Sequence, residues 1–557
     1  MATVTQIRRF RRVVIYIALI LLGLFFLSLI LADRFVEPVL RQRLHTLIVK
    51  GSDSLYTYQL GDLKANFLHG RVEVRNLQIN IDSNRYQYLK ERNKLPALTM
   101  ELDLAEGSIT GVNLLGLLLR KKIDVEEFSS KKADVRLERH LQSKDPIETD
   151  EPLWKSIQPD IRSIEVDRVR LEGIKLSYKN ADTAESINLQ FDQCNALFDN
   201  IRIDSAAAFD TTRIGFAKNI SLNLHDLKFR TPDSTYKMEA ERITYSSREH
   251  LLQIDSFSLQ PTLDKADFYK ANPVQQSLYY VVFRKARFIN MPLDRFINKD
   301  VISADSVIVE KPDVNVYLDR NMQPLFISKV GKFPHQKLLS SPMVIDIKSF
   351  LAKTASVVYT ERSTKTLHEG KVFFTDFDLV ANNVVNDQRL IESNSICTAF
   401  AEGKILGSSP FSVNFTFFLD SLNGCYEADG SIREIKSSQL NPAASNLGNI
   451  EINGLNIHQL DFKIRGRDMD ASGSLRMRYD NLAVTLRKLD KETGEISERK
   501  FFSRVMNQYT LWPSNPGPNG VERITNDAKA LRLTSQSFFA LLWKTIFDGM
   551  QDIMMKK

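Results

Sequence analysis

The stretches IRSIEVDRVRLEGIKLSY (161–178) and NIEINGLNIHQLDFKI (449–464) decide the fold. In the first, the apolar positions are Ile164, Val166, Val169, Leu171, Ile174, Leu176 and Tyr178. In the second they are Ile450, Ile452, Leu455, Ile457, Leu460, Phe462 and Ile464. Both share one spacing, pairs two residues apart separated by gaps of three. A period of two belongs to strands with one buried face. A gap of three turns the next residue to the other face unless a bulge intervenes, and Gly173 and the Asn453-Gly454 pair sit where the backbone bends cheaply. The spacing predicts a long, twisted, antiparallel sheet with bulges.

The same slipping alternation recurs at Val72, Val74, then Leu77, Ile79, Ile81, and at Ile220, Leu222, Leu224, then Leu227, Phe229. Few segments between Leu55 and Leu489 carry a helical stripe, so helices are not available to cover both faces of a parallel sheet. The class is mainly β. One dry face per strand has two readings: the core of a sandwich, or an uncovered concave surface suited to acyl chains. Periodicity does not separate them.

An internal repeat appears when Leu114 to Leu137 is laid over Leu293 to Val316, an offset of 179 residues. Leu117 falls on Phe296, Arg120 on Lys299, Ile123 on Ile302, Lys132 on Lys311, Asp134 on Asp313 and Val135 on Val314. The shared unit reads as a short helix-like apolar turn, a basic residue, then two strands.

Upstream, Val13 to Ala32 carries no charge, and as a helix it spans roughly 30 Å of hydrocarbon. Val13, Ile17, Leu21, Leu24, Phe25, Leu29 and Ala32 mark this expected transmembrane anchor. Arg8, Arg9, Arg11 and Arg12 precede it, which places the N-terminus in the cytoplasm and the body outside. A cleavable signal peptide is the competing reading. Its apolar core is normally shorter, and Ile30 stands where a small residue is wanted before cleavage. A short amphipathic helix is expected over Val36 to Lys50.

The four arginines also account for most of the net charge of +7, leaving a nearly neutral body without the basic stripe that nucleic acid requires. Cys194, Cys397 and Cys425 are too few and too far apart for a disulfide framework or a metal site, although a Cys397–Cys425 bridge stays open in an oxidising compartment. The eight histidines are scattered, with no HExxH or HxH, and there is no GxSxG, no GKS or GKT loop and no GxGxxG after a strand. Asp468 and Asp470, in GRDMDASG, read as a solvated turn rather than a metal pair. No catalytic residue, metal or cofactor is expected.

KDPIETDEPLWKSIQPD (144–160) reads as a solvated loop or linker, DKETGEISERK (490–500) as a hairpin tip and WPSNPGPNG (512–520) as an irregular connection. Helical spacing returns at the end, where Phe539, Leu542, Trp543, Ile546, Phe547 and Met550 fall on one apolar stripe with Thr534 or Ser535 as N-cap. This helix either closes the end of the sheet or serves as a foot on a membrane or partner.

The anchor followed by LGDLKANFLHGRVEVRNLQI, the recurring unit at Leu114 and Leu293, and NPAASNLGNIEINGLNIHQLDFKIRGRDMDASGSLRMRYDNLAVTL resemble bacterial AsmA-like proteins. Most specific is RGRDMDASGSLRMRYDNLAV, with Ala471 and Gly473 in a turn followed by Tyr479 and Leu482. The resemblance implies a single-pass inner-membrane protein of a Gram-negative envelope with a periplasmic, taco-like open β-groove that carries phospholipid toward the outer membrane. It implies no catalytic residues. Groove candidates are Ile450, Ile452, Leu455, Ile457, Leu460 and Phe462, with Ile164, Val166, Val169 and Leu171 on pattern alone. The expected organisation is a cytoplasmic tip (1–12), the anchor (13–32), an N-terminal groove unit (33–143), a linker (144–160), a middle unit containing the repeat (161–330), a C-terminal unit (331–511) and a terminal connection with helix (512–557). An anchored assembly factor for outer-membrane proteins, with a closed sandwich and an outer-membrane or periplasmic protein partner, is the alternative. An exported hydrolase with a dispersed site is the third.

Overall fold

The computed structural model describes residues 45, 48–49, 52–66, 70–96, 98–113, 121–140, 162–180, 187–210, 212–214, 216–489 and 496–556. The expected anchor with its arginines, the 144–160 segment, the 114–120 part of the repeat and nearly all of the helix expected before Lys50 lie outside the described residues. No helix among the described residues is long and apolar enough to cross a membrane. The chain divides into two compact units, 1–257 with 289–300, and 258–288 with 301–557.

The first unit holds β1 (Tyr56–Leu60), β2 (Leu63–Asn66), β3 (Arg71–Ile81), helix α1 (Ser83–Glu91), β4 (Leu98–Thr110), β5 (Lys122–Arg139), β6 (Ser163–Asn180), β7 (Ile187–Ile203), β8 (Asn219–Arg230), β9 (Tyr236–Ser246) and most of β10 (Leu251–Pro261). β3 pairs with β1, β2 and β4, and from β4 to β10 each strand pairs with the next. The helix starts where the Asp82 carboxylate accepts the Arg85 amide, 2.8 Å away.

Slips in the alternation coincide with left-handed residues. Asn76 (φ 53°) lies between Val74 and Leu77, Gly173 (φ 65°) between Leu171 and Ile174, and Asp226 (φ 54°) between Leu224 and Leu227. Gly173 adds one residue to β6 against β7, whereas at Asn76 and Asp226 the registers with the neighbouring strands stay in step. Asn453-Gly454 behaves differently from the expectation. The ladder is irregular around Gly454, but the left-handed residue is Asn481 (φ 58°) on the facing strand.

The second unit contains α2 (Lys265–Ala271) and β11 (Leu278–Ile289), and then, after α3 (Leu293–Lys299) of the first unit, β12 (Val301–Glu310) and β13 (Asp313–Asp319). There follow α4 (Pro334–Leu339), β14 (Val344–Arg362), β15 (Glu369–Val385), α5 (Gln388–Ser393), β16 (Ile396–Ile405), β17 (Ser409–Phe418), β18 (Tyr426–Lys436), α6 (Ser437–Gly448), β19 (Ile450–Gly466) and β20 (Asp470–Leu489). β21 (Ile496–Glu498), α7 (Lys500–Val505), β22 (Ile524–Leu531) and α8 (Phe538–Met554) complete it. From β14 to β20 the strands pair antiparallel in order, and β20 then pairs with β21 and β22.

The sheets are mixed, which corrects the antiparallel expectation. β5 and β6 run parallel, with Ile123 opposite Ile164. β12 and β13 also run parallel to β14, with Ile302 opposite Ile345 and Val314 opposite Val357. Parallel neighbours need a long return connection. The stretch containing α4 supplies that connection before β14.

This topology extends the repeat well beyond its first 24 aligned residues. β3–α1–β4–β5–β6 and β10–α2–β11–β12/β13–β14 follow one plan, β3 beginning at Arg71 and β10 at Leu251. Thr99 faces Glu138 across β4 and β5, and Leu278 faces Tyr317 across β11 and β13, the same pair after the 179-residue shift. Left-handed positions recur as well: Lys132 (φ 54°) falls on Lys311 (φ 51°), and Ser256 (φ 54°) lies one residue past the equivalent of Asn76. β18–α6–β19 has the same strand–helix–strand order a third time, but β20 then pairs antiparallel with β22 and α8 packs there.

Candidate functional site

Residues paired across neighbouring strands of the first unit form continuous apolar rows. One runs Leu77, Leu104, Ala133, Ile174, Cys194, Leu224, Ile243. The next runs Val74, Gly107, Ser130, Leu171, Ala196, Leu222, Tyr245, and a third runs Val72, Ile109, Phe128, Val169, Phe198, Ile220. All of these depend on the left-handed residues, because one uncorrected slip would send half of each row to the opposite face.

Burial changes along the rows. Val72, Ile109, Ile123, Val125, Ile164, Val166, Val169 and Ile203 pack into a closed cluster at one end. From β6 onward, Leu171, Ile174, Cys194, Ala196, Leu222, Leu224 and Ile243 are only half-buried. Among the described residues of this unit, helical segments meet the strands at their ends. α1 packs its Leu89 with Leu55, Tyr56 and Ile81, and the turn at Ala207–Phe209 sits against β7. The surroundings are apolar enough that burial pushes the Cys194 thiol up to about 12.

The opposite face is a lattice of charge. Lys122 and Arg202 flank Glu165 at 2.6 and 3.7 Å, Arg202 reaches Asp204 at 2.7 Å, and Arg168 and Arg248 reach Asp199 at 3.6 and 2.9 Å. Lys228 donates to Asp192 at 2.6 Å and holds that carboxyl below the usual range. Burial pushes Asp204 up, but the Ala207 amide and the Arg202 guanidinium outweigh it. These pairs are half-exposed and contribute little stability individually. They keep this face wet and fix which side of the sheet is dry.

The second unit has an apolar row of its own, Ala352, Leu379, Ala401, Val413, Gly430, Phe462 and Leu475. Here its far end is covered. α8 lays Phe538, Leu541, Leu542, Ile546, Met550 and Ile553 into one core with Leu460, Phe462, Leu475 and Met477. Gly549 permits the approach, since a Cβ there would meet Leu475 Cδ1 at 2.7 Å and Ala528 Cβ at 3.0 Å.

The sequence-derived groove positions thus separate by burial. Ile164, Val166 and Val169 belong to the closed end of the first unit, and Leu171 to its half-buried rows. Leu455, Ile457, Leu460 and Phe462 are at most 6% exposed and lie in the core shared with α8, Ile452 is half-buried and Ile450 is exposed. The terminal stripe divides too: Leu542, Ile546 and Met550 face the sheet, while Phe539, Trp543 and Phe547 face outward. The helix is capped by Ser537 rather than Thr534 or Ser535, its hydroxyl accepting the Ala540 amide at 3.2 Å. Sequence reasoning did not select Cys194, Ala196, Leu222, Leu224 and Ile243 as groove positions. The signal that would have found them is the slip at Asp226, read as a left-handed position that preserves the face.

All three cysteines are free. No group of ligating side chains among the described residues could hold a metal ion. Asp468 is not the solvated residue expected from its motif: it accepts from Gln336 Nε2 and the Gly331 amide at 2.9 and 3.1 Å and pairs with Arg532. No protein-family model matches the chain, and no curated protein matches it.

Proposed function

We propose that the chain is a non-enzymatic lipid-binding protein whose half-buried apolar rows hold phospholipid acyl chains while the charged face stays in water. The observation that carries this reading is the stretch from Leu171 to Ile243, whose apolar side chains Leu171, Ile174, Cys194, Ala196, Leu222, Leu224 and Ile243 are only half-buried. Each acyl methylene moved from water onto such a surface gains about 0.8 kcal/mol, so a few contacts per strand hold a chain. The resemblance to AsmA-like proteins agrees with this chemistry. In that setting 13–32 anchors the chain in an inner membrane with its N-terminus cytoplasmic, and the body works in the periplasm in outer-membrane biogenesis.

Mass spectrometry of lipids retained by the purified full chain tests the proposal. Phospholipid is expected in the wild type and should be lost from Leu222→Asp and Leu224→Asp, both of which should stay folded with a cooperative, at most slightly lowered melting transition because these positions are half-buried. Lipid-free wild-type protein, or unfolding of both variants, identifies the rows as ordinary core.

A further inference from the structure

We propose that the surface built from the 325–333 loop and the outward face of α8 docks on an anionic phospholipid bilayer. Two segments far apart in sequence form it. The Lys329 amide donates to the Thr534 carbonyl at 2.7 Å, and Arg532 donates to the Lys329 carbonyl. Phe333 stacks edge-on against Phe538 with ring centres 5.2 Å apart. On this joint the apolar side chains that a core would claim stand in solvent. Phe326 is 91% exposed, Leu533 65%, Phe539 64% and Trp543 53%. Phe539, Trp543 and Phe547 follow one another at helical spacing, opposite the face that packs on the sheet.

The charge around this surface selects its partner. Neither 321–340 nor 528–547 contains an acidic residue, and Lys329, Lys332, Lys337 and Lys544 are exposed, whereas Lys529 beside them is paired with the flanking Asp527 at 2.6 Å. Lys329 is held below its usual pKa, first by partial desolvation of its ammonium and then by the nearby cations Arg320, Arg532, Lys337 and Lys332. The single arginine of these segments, Arg532, is turned inward onto Asp468. Protein interfaces favour arginine and exclude lysine from their centres, whereas aromatic side chains ringed by lysine suit the headgroup region of an anionic bilayer. The inference does not rest on lipid occupying the apolar rows, since all of these residues lie outside them.

The test uses the full chain in phosphatidylcholine nanodiscs, which shield its N-terminal apolar segment, mixed with vesicles and separated by flotation. Wild type should rise with phosphatidylcholine vesicles that contain phosphatidylglycerol and stay behind with pure phosphatidylcholine. The combined Phe539→Ser, Trp543→Ser and Phe547→Ser variant should lower the floated fraction about tenfold. Lys329→Glu, Lys332→Glu and Lys544→Glu together should abolish the preference for anionic vesicles, and they decide the matter if the serine variant fails to fold. Absence of wild-type flotation, or flotation of both variants equal to that of the wild type, overturns the proposal, as does a surface that captures only a protein partner. Neither result bears on lipid retention by the wild-type body.

Discussion

Arg532 and Asp468 form an ion pair, Nη1 to Oδ1 at 3.5 Å, in which the guanidinium is wholly shielded from solvent. The same guanidinium donates to the Asp468 and Gln536 carbonyls at 2.9 Å and lies 4.4 Å over the Phe333 ring. One side chain therefore ties the β19–β20 turn, the 325–333 loop and the approach to α8 into one corner of the second unit.

Removing one member of a buried pair leaves the other charge uncompensated, which typically costs about 3–5 kcal/mol. Arg532→Ala should destabilise the second unit by an amount at the low end of that range, because Asp468 keeps its bonds from Gln336 and Gly331. Arg532→Lys should recover little, since one ammonium cannot serve three carbonyls and an aromatic face at once. Urea titration of the three proteins, followed by near-ultraviolet circular dichroism, checks both expectations.

His335 makes the same unit sensitive to acid. Its ring stacks on Phe417 with centres 5.0 Å apart, and neither ring nitrogen has a hydrogen-bond partner. Burial lowers its pKa from 6.5 to about 4, against a smaller opposing pull from Asp468. The folded state thus holds fewer protons than the unfolded chain between those values, so stability from this residue is complete above pH 6.5 and falls as pH drops toward 4. His335→Phe keeps the stack and removes the proton. Its melting temperature should decline less than that of the wild type between pH 7 and pH 5, and parallel declines would remove His335 as the cause.

How much of this was legible beforehand follows from which residues act locally. The alternation and its slips were readable because each slip needs one residue of left-handed backbone, as at Gly173, Asn76 and Asp226. The parallel pairings were not, because nothing in the period of β5 or β6 records the direction in which the two strands run beside each other. Nor could pattern tell Leu224 from Leu460. Both sit on a dry face, and only the packing of α8, set by contacts distant in sequence, buries the second.

That contrast gives a stability prediction. Leu460 is 1% exposed and paired with Met477 and Ile432 beneath α8, so Leu460→Asp places a carboxylate where no donor faces it. The cost should exceed about 3 kcal/mol and abolish the cooperative transition of the second unit. Leu224→Asp, on the half-buried rows, should shift its own unit by less than about 1.5 kcal/mol, because its carboxylate can reach water. Thermal melts that show equal losses for the two would mean that the rows of the first unit are as closed as the core of the second.

Cys194 reports on the same rows from within. Opposite Leu224 and Ile174, with its thiol pushed up to about 12 from an ordinary value of 9.0, it carries little thiolate at neutral pH. In a Cys397→Ser, Cys425→Ser background its alkylation by a small maleimide should be on the order of a thousandfold slower than that of a free thiol, and the rate should still be rising at pH 10. Unfolding the chain should restore the ordinary rate. Fast alkylation at pH 7 would require a hydrated Cys194, and a hydrated residue there is incompatible with a row dry enough to hold an acyl chain.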